Sequence, residues 1–76
     1  MYLPATVVKD ILPREGNGPV MLKKCKLENG LDALLPARNC DESDFQKLLP
    51  NHVIFAKIFN IEYDKLTATL ECKQSS

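Results

Sequence analysis

Asn51-His52-Val53-Ile54-Phe55-Ala56-Lys57-Ile58-Phe59-Asn60-Ile61-Glu62, then Tyr63-Asp64-Lys65, then Leu66-Thr67-Ala68-Thr69-Leu70-Glu71-Cys72-Lys73, is the stretch that decides the fold. In its second limb Leu66, Ala68, Leu70 and Cys72 alternate with Thr67, Thr69, Glu71 and Lys73. A period of two marks a strand with one face buried and one face in water. In the first limb Ile54, Ala56 and Ile58 alternate in the same way with Phe55, Lys57 and Phe59. Two such limbs joined by a short turn read as a β-hairpin that closes a sheet begun upstream.

The upstream sheet is legible too. Ala5 to Ile11 is short, β-branched and bounded by Pro4 and Pro13, so it is the first strand. Residues 12–19, with Pro13, Gly16, Asn17, Gly18 and Pro19, form a turn or flexible loop. Val20 to Leu27 is the second strand. Asn29-Gly30 then signals a two-residue hairpin turn of type I′, because both residues tolerate positive φ. Leu31 to Leu35 is the third strand, stopped by Pro36, which has no N–H for a ladder. Between Pro36 and Pro50 the period changes. Asp41, Glu42 and Asp44 precede Phe45, Leu48 and Leu49 at helical spacing, with Lys47 near the end. This predicts a helix of one to two turns, its start capped by the acids.

Three strands, a short helix and two strands cannot make two separate sheets in a chain this small. The economical answer is an all-β, five-stranded barrel with the helix between strands three and four plugging one end. This is the oligonucleotide/oligosaccharide-binding (OB) arrangement. A small sandwich or SH3-like barrel is the alternative, weakened by the helix.

Composition narrows the class further. The 76 residues make one domain, with a core spanning about 5–73, and 45% hydrophobic content suffices for a small core. Ten basic and ten acidic residues cancel, so no strong positive field draws nucleic acid, and any such binding rests on local patches. No apolar run approaches the roughly 20 residues a membrane span needs, and Met1 to Leu12 does not read as a signal peptide. A soluble, intracellular domain of a larger protein is the expectation. Cys25, Cys40 and Cys72 are odd in number and contain no Cys-x-x-Cys pair, and His52 is the single histidine. This reads as free thiols, with Cys72 a small core residue and no metal site.

Asn29-Gly30-Leu31-Asp32-Ala33-Leu34-Leu35-Pro36 and Ile58-Phe59-Asn60-Ile61-Glu62, followed by Leu66-Thr67-Ala68-Thr69-Leu70-Glu71-Cys72, resemble two signature steps of the S1 domain. That family of OB barrels is named after a bacterial ribosomal protein. The resemblance spans Ala5 to Lys73. It departs at Asn51, where Gly usually precedes strand four, and at Ala33, where strand three usually carries Gly. Asn is the next best residue for a positive φ, and Ala fits a strand. Leu27-Glu28-Asn29-Gly30 and the ungapped run Lys57 to Cys72 are most similar to S1 domains of eukaryotic transcription elongation factors. That resemblance implies a nuclear, non-catalytic interaction module without cofactor. Its partners would be RNA polymerase II or neighbouring domains, and single-stranded RNA only weakly. The alternative is a genuine single-stranded RNA-binding S1 domain of an RNA-processing or translation protein, using Lys23, Lys24, Lys26 and Arg38 in place of stacking rings.

S1 domains that hold RNA stack bases on aromatic rings of strands two and three. The corresponding positions here are Val20, Met21, Leu22, Leu34 and Pro36, and none is aromatic. What remains is cationic: Lys23, Lys24 and Lys26, with Arg38 and Lys57. This set is either a phosphate-contacting patch or a solvated edge protected by lysines. Phe55 and Phe59 fall opposite Ile54, Ala56 and Ile58. They form an exposed partner-binding stripe unless the helix or the strand two to three hairpin covers them. Tyr63 reads as turn packing.

Catalysis needs a nucleophile beside a base, two carboxylates in one cleft, or activated metal-bound water. The acidic cluster Asp41/Glu42/Asp44 is accounted for by the helix start, and His52 has no orienting third group for a Cys25 or Cys40 nucleophile. Gly16-Asn17-Gly18-Pro19 has no following helix and so is no phosphate loop. No catalytic residue, metal, membrane segment or small-molecule substrate is expected.

Overall fold

The computed structural model describes residues 1–14, 16 and 18–72. Asn17 of the expected turn, Lys73 at the end of the last alternation, and the Ser75-Ser76 end expected to fray lie outside the described residues. The elements are β1 (Leu3–Ile11), β2 (Leu22–Leu27), β3 (Asp32–Pro36), a 3-10 turn (Ala37–Asn39), α1 (Glu42–Gln46), β4 (Val53–Glu62) and β5 (Thr67–Cys72). The strands close into a barrel in the order β1-β2-β3-β5-β4. Every pairing is antiparallel except β3 with β5, a short parallel seam of Ala33 against Ala68 and Leu34 against Thr69. The chain is an all-β barrel of the OB type.

Alternation fills the barrel. Ala5 and Val7 of β1, Cys25 and Leu27 of β2, Ala33 and Leu35 of β3, Ala56 of β4, and Ala68, Leu70 and Cys72 of β5 point inward and are buried. Phe45 of α1 is fully buried with them and plugs the end where β1 finishes and β2 begins. Removing a ring of this kind costs about 3–5 kcal/mol. Pro4 sits inside β1, opposite Phe55 of β4. Val7 donates its N–H to His52 O (2.8 Å), so by alternation Leu3 and Ala5 face β4, and Pro4 turns its nitrogen to where β2 has already ended. Its missing N–H therefore costs no ladder bond.

Several local expectations are corrected. The β2–β3 connection is a three-residue loop, not a two-residue type I′ turn. Gly30 N–H donates to Leu27 O (2.9 Å) and Leu27 N–H to Leu31 O (2.9 Å). Only Gly30, at φ +87°, is left-handed there, the pattern of a type I turn followed by a glycine bulge. Asn29 Oδ1 accepts from Leu31 N–H (3.0 Å). The helix is five residues long, and Asp41 occupies its N-cap by backbone conformation without a side-chain capping bond. Leu49 lies beyond it and is exposed. Asn51 takes φ +74°, the conformation for which Asn substitutes for Gly. Its N–H donates to Val7 O (2.7 Å), which pins the start of β4 to β1. Leu66 does not begin the last strand: at φ +52° it completes the turn and is exposed. Tyr63 is exposed in the same turn and packs on nothing that would bury it.

The cysteine reading is corrected as well. Cys40 and Cys72 form a disulfide, their Cα atoms 4.9 Å apart, and Cys25 is the free, buried thiol. Parallel pairing of β3 and β5 explains it, since the segment leaving β3 arrives beside the end of β5. The same proximity lets Asn39 Nδ2 donate to Leu70 O (3.0 Å).

Candidate interaction surface

The two faces singled out by sequence behave differently. On β2, Lys23, Cys25 and Leu27 share the inward face, while Leu22, Lys24 and Lys26 face outward. Lys23 is therefore no surface cation: it is 4% exposed. Its Nζ donates to Asp10 Oδ1 (2.7 Å) and to Leu48 O (3.0 Å), and lies 4.9 Å from the centroid of the Phe45 ring. A buried ammonium needs such company, because dehydration without it is costly. The cluster joins β1, β2, α1 and the segment after α1. Sequence reading missed it, although the parity of Cys25 and Leu27 carried the signal.

The other expected cations do not converge. Lys26 lies opposite Asp32, with Nζ 3.8 Å from Oδ1. Lys24 stands opposite Leu34 on the outer register, and Arg38 is exposed on the 3-10 turn. Lys57 belongs to β4, separated from β2 by β1 and from β3 by β5 around the barrel. Its cross-strand neighbour is Glu71. No ring faces outward from β2 or β3. The outer β2–β3 surface offers two lysines, one already paired, and nothing on which a base would stack.

The β4 surface is different. Val53, Phe55 and Phe59 are 62%, 60% and 62% exposed, so neither α1 nor the β2–β3 hairpin covers them. Val53 and Phe55 are next-but-one neighbours on the outward register, with Thr6 and Pro4 of β1 directly opposite. A bulge between Ile58 and Asn60 leaves Phe59 unpaired and bends the strand there. Lys57 lies between the two rings in sequence, and Glu71 balances its charge across the ladder. The outcome is a run of exposed apolar side chains along β4, interrupted by Lys57 and by the bulge, on the outside of a closed barrel.

The Cys25 thiol is pushed up from its ordinary 9.0 to about 11 by burial, which the nearby Lys23 charge only partly opposes. A thiol of that kind is a poor nucleophile. Cys40 is bonded to Cys72, and His52 Nδ1 accepts the Leu49 N–H (3.4 Å) at the surface. Among the described residues no three His, Cys, Asp or Glu side chains gather as a metal-binding group, and no helix is long and apolar enough to cross a membrane. No protein-family model matches the chain, and no curated protein matches it.

Proposed function

We propose that this barrel is a non-catalytic interaction module of the S1 type, resembling the S1 domain of the eukaryotic elongation factor and histone chaperone suppressor-of-Ty six. In that reading it serves a nuclear protein that travels with RNA polymerase II, and it docks on the polymerase or on neighbouring domains. The observation that carries the reading is the exposed run of Val53, Phe55 and Phe59 on β4, set against a β2–β3 face that has lost both its rings and Lys23. Other large apolar side chains are exposed too, Leu12 and Tyr63 among them, but exposed aromatic rings on one strand of a closed barrel are the kind of feature by which contact surfaces distinguish themselves. Binding of single-stranded RNA through Lys24, Lys26 and Arg38 is weak and sequence-blind at best, because a few phosphate contacts lose affinity quickly as salt rises.

Two titrations test this. The chain is titrated with single-stranded RNA at low and at moderate salt, and with RNA polymerase II as wild type and as Phe55→Ser/Phe59→Ser. The proposal expects any RNA complex to vanish at moderate salt, and polymerase binding to be lost in the double variant. A tight RNA complex that survives moderate salt overturns it, as does polymerase binding indifferent to the two rings. The disulfide bears on the nuclear setting, since such bonds are rare in that compartment. A nuclear home requires the domain to stay folded with Cys40 and Cys72 reduced.

A further inference from the structure

The two ends of the barrel are closed unequally. Register places Asp10 and Lys23 at the end plugged by Phe45, and Ala5 and Leu27 toward the other end. At that second end the start of β1, the β2–β3 loop and the distal half of β4 surround an open cavity of about 540 Å³. Its wall is aliphatic, built from Leu3, Leu27, Leu31, Ile58 and Ile61. Only Leu27 is buried, and the other four are half-buried. Among the described residues no side chain does for this mouth what Phe45 does for the opposite one. Barrel mouths of this size, apolar inside with a few polar groups at the lip, are common places for an apolar group to lodge.

Charge at the lip narrows the occupant. Glu28 and Asn29 line the cavity. The nearby ions cancel in pairs, Lys26 with Asp32 and Lys65 with Glu62. Among the described residues no cation pairs with Glu28, which leaves its carboxylate uncompensated there. The loop that carries it is held by Gly30 N–H to Leu27 O (2.9 Å) and Leu31 N–H to Asn29 Oδ1 (3.0 Å), so the lip is preorganised.

We infer that the helix-free mouth of the barrel is a peptide-anchoring pocket. It takes one bulky apolar side chain of a partner protein, flanked by Lys or Arg that meets Glu28. The site adjoins the β4 surface, since Pro4, which stands opposite Phe55, and Ile58 of β4 also line it, but it opens at the mouth and does not rest on the two exposed rings. It extends the chain's recognition surface to a second class of contact, an anchor inserted in a socket beside a charged lip.

Methyl NMR of the whole chain tests the inference with three capped tripeptides, Lys-Trp-Lys, Glu-Trp-Glu and Lys-Ser-Lys. Lys-Trp-Lys is expected to shift the methyls of Leu27, Leu31, Ile58 and Ile61 in a saturable way, while Leu70 and Leu35 stay put. Lys-Ser-Lys shifts none of them. Glu-Trp-Glu binds about fivefold more weakly or worse, the scale of an exposed charge reversed in sign. Glu28→Gln removes that difference without changing the fold, since the side chain is exposed and has no ion-pair partner among the described residues. Absence of shifts with Lys-Trp-Lys overturns the inference, as does equal affinity for the Glu peptide. Shifts confined to residues around Phe55 and Phe59 move the contact to β4 and overturn it too. Mouth shifts that grow with protein concentration in the absence of peptide make a second copy the occupant, and the inference then falls in the same way. Failure here leaves the polymerase and RNA titrations unaffected, because they are read at other residues.

Discussion

Removing Asp10 should harm this fold more than removing the lysine it pairs with. The reason is the unequal exposure of the pair: the Lys23 side chain is 5% exposed and that of Asp10 is 40% exposed. Asp10→Ala strands an ammonium in nearly dry surroundings. Breaking a fully buried pair in this way costs about 3–5 kcal/mol. Here the Leu48 carbonyl and the Phe45 ring remain, so the loss is about 2–3 kcal/mol. Lys23→Met keeps an unbranched apolar stem and leaves Asp10 to water. It forfeits the bond to Leu48 O and the ring contact, about 2–4 kcal/mol together, but no ammonium has to be dehydrated, a penalty of several kcal/mol. Its net cost is about 0–1 kcal/mol. Lys23→Met should therefore rescue Asp10→Ala, and the double variant should be more stable than the Asp10 single. Urea unfolding resolves this, since a slope near 1 kcal/mol/M turns the single loss into a midpoint shift of about 2–3 M. Additive losses, or a Lys23→Met cost above that of Asp10→Ala, would refute the claim that Lys23 is held by its surroundings and not by water.

The remaining predictions concern the cysteines and the tight turns. Reducing Cys40–Cys72, which closes a 32-residue separation, should lower stability by about 3–4 kcal/mol in the chain-entropy account. Urea curves with and without dithiothreitol measure it, and a loss below about 1 kcal/mol would detach the bond from the stability of the barrel. Cys25 should resist iodoacetamide until the chain unfolds. Its folded pKa lies above the unfolded one, so the stability it contributes is complete below pH 9.0 and is lost as pH rises toward about 11. Cys25→Ala should flatten that decline in a pH series of unfolding curves. Leu66 is exposed at φ +52°, so Leu66→Asn should stabilise by up to about 1 kcal/mol, whereas Asn51→Ala at φ +74° should destabilise by about 1 kcal/mol. Thermal melts detect either as a shift of about 4–8 °C.

Where the sequence was informative, alternation was the reason. Ala68, Leu70 and Cys72 point inward as their spacing demands, and so do Ala5, Val7, Ala33 and Leu35. Barrel topology followed from element order, because three strands, a helix and two strands leave few closures. Errors arose where local chemistry was ambiguous. Asn29-Gly30 serves a two-residue or a three-residue loop equally well, and the hydrogen bonds of Leu27 decide between them. Leu66 continues the alternation on paper, but the turn needs it in the left-handed region. The candidate site was half legible. Phe55 and Phe59 could be assigned to one face, yet their exposure depended on what packs over β4, which no local pattern encodes. Lys23 was misjudged because lysine is ordinarily a surface residue, and its parity with Cys25 was the better guide. The Cys40–Cys72 pairing was hidden because it depends on β3 and β5 lying side by side, a contact between distant parts of the chain.

The short seam between β3 and β5 has a consequence during synthesis. Ribosomes release this chain from its N-terminus, so β1, β2 and β3 emerge while the strand that must lie beside β3 is still being made. Until β5 is free, one border of β3 and one of β4 are bare backbone, open to pairing with a neighbouring nascent chain. Cys40, Asn39 and the seam residues all wait for the same late segment. A chain stalled before Thr67 has left the exit should therefore remain sensitive to protease, and release of the last six strand residues should protect it in a single step.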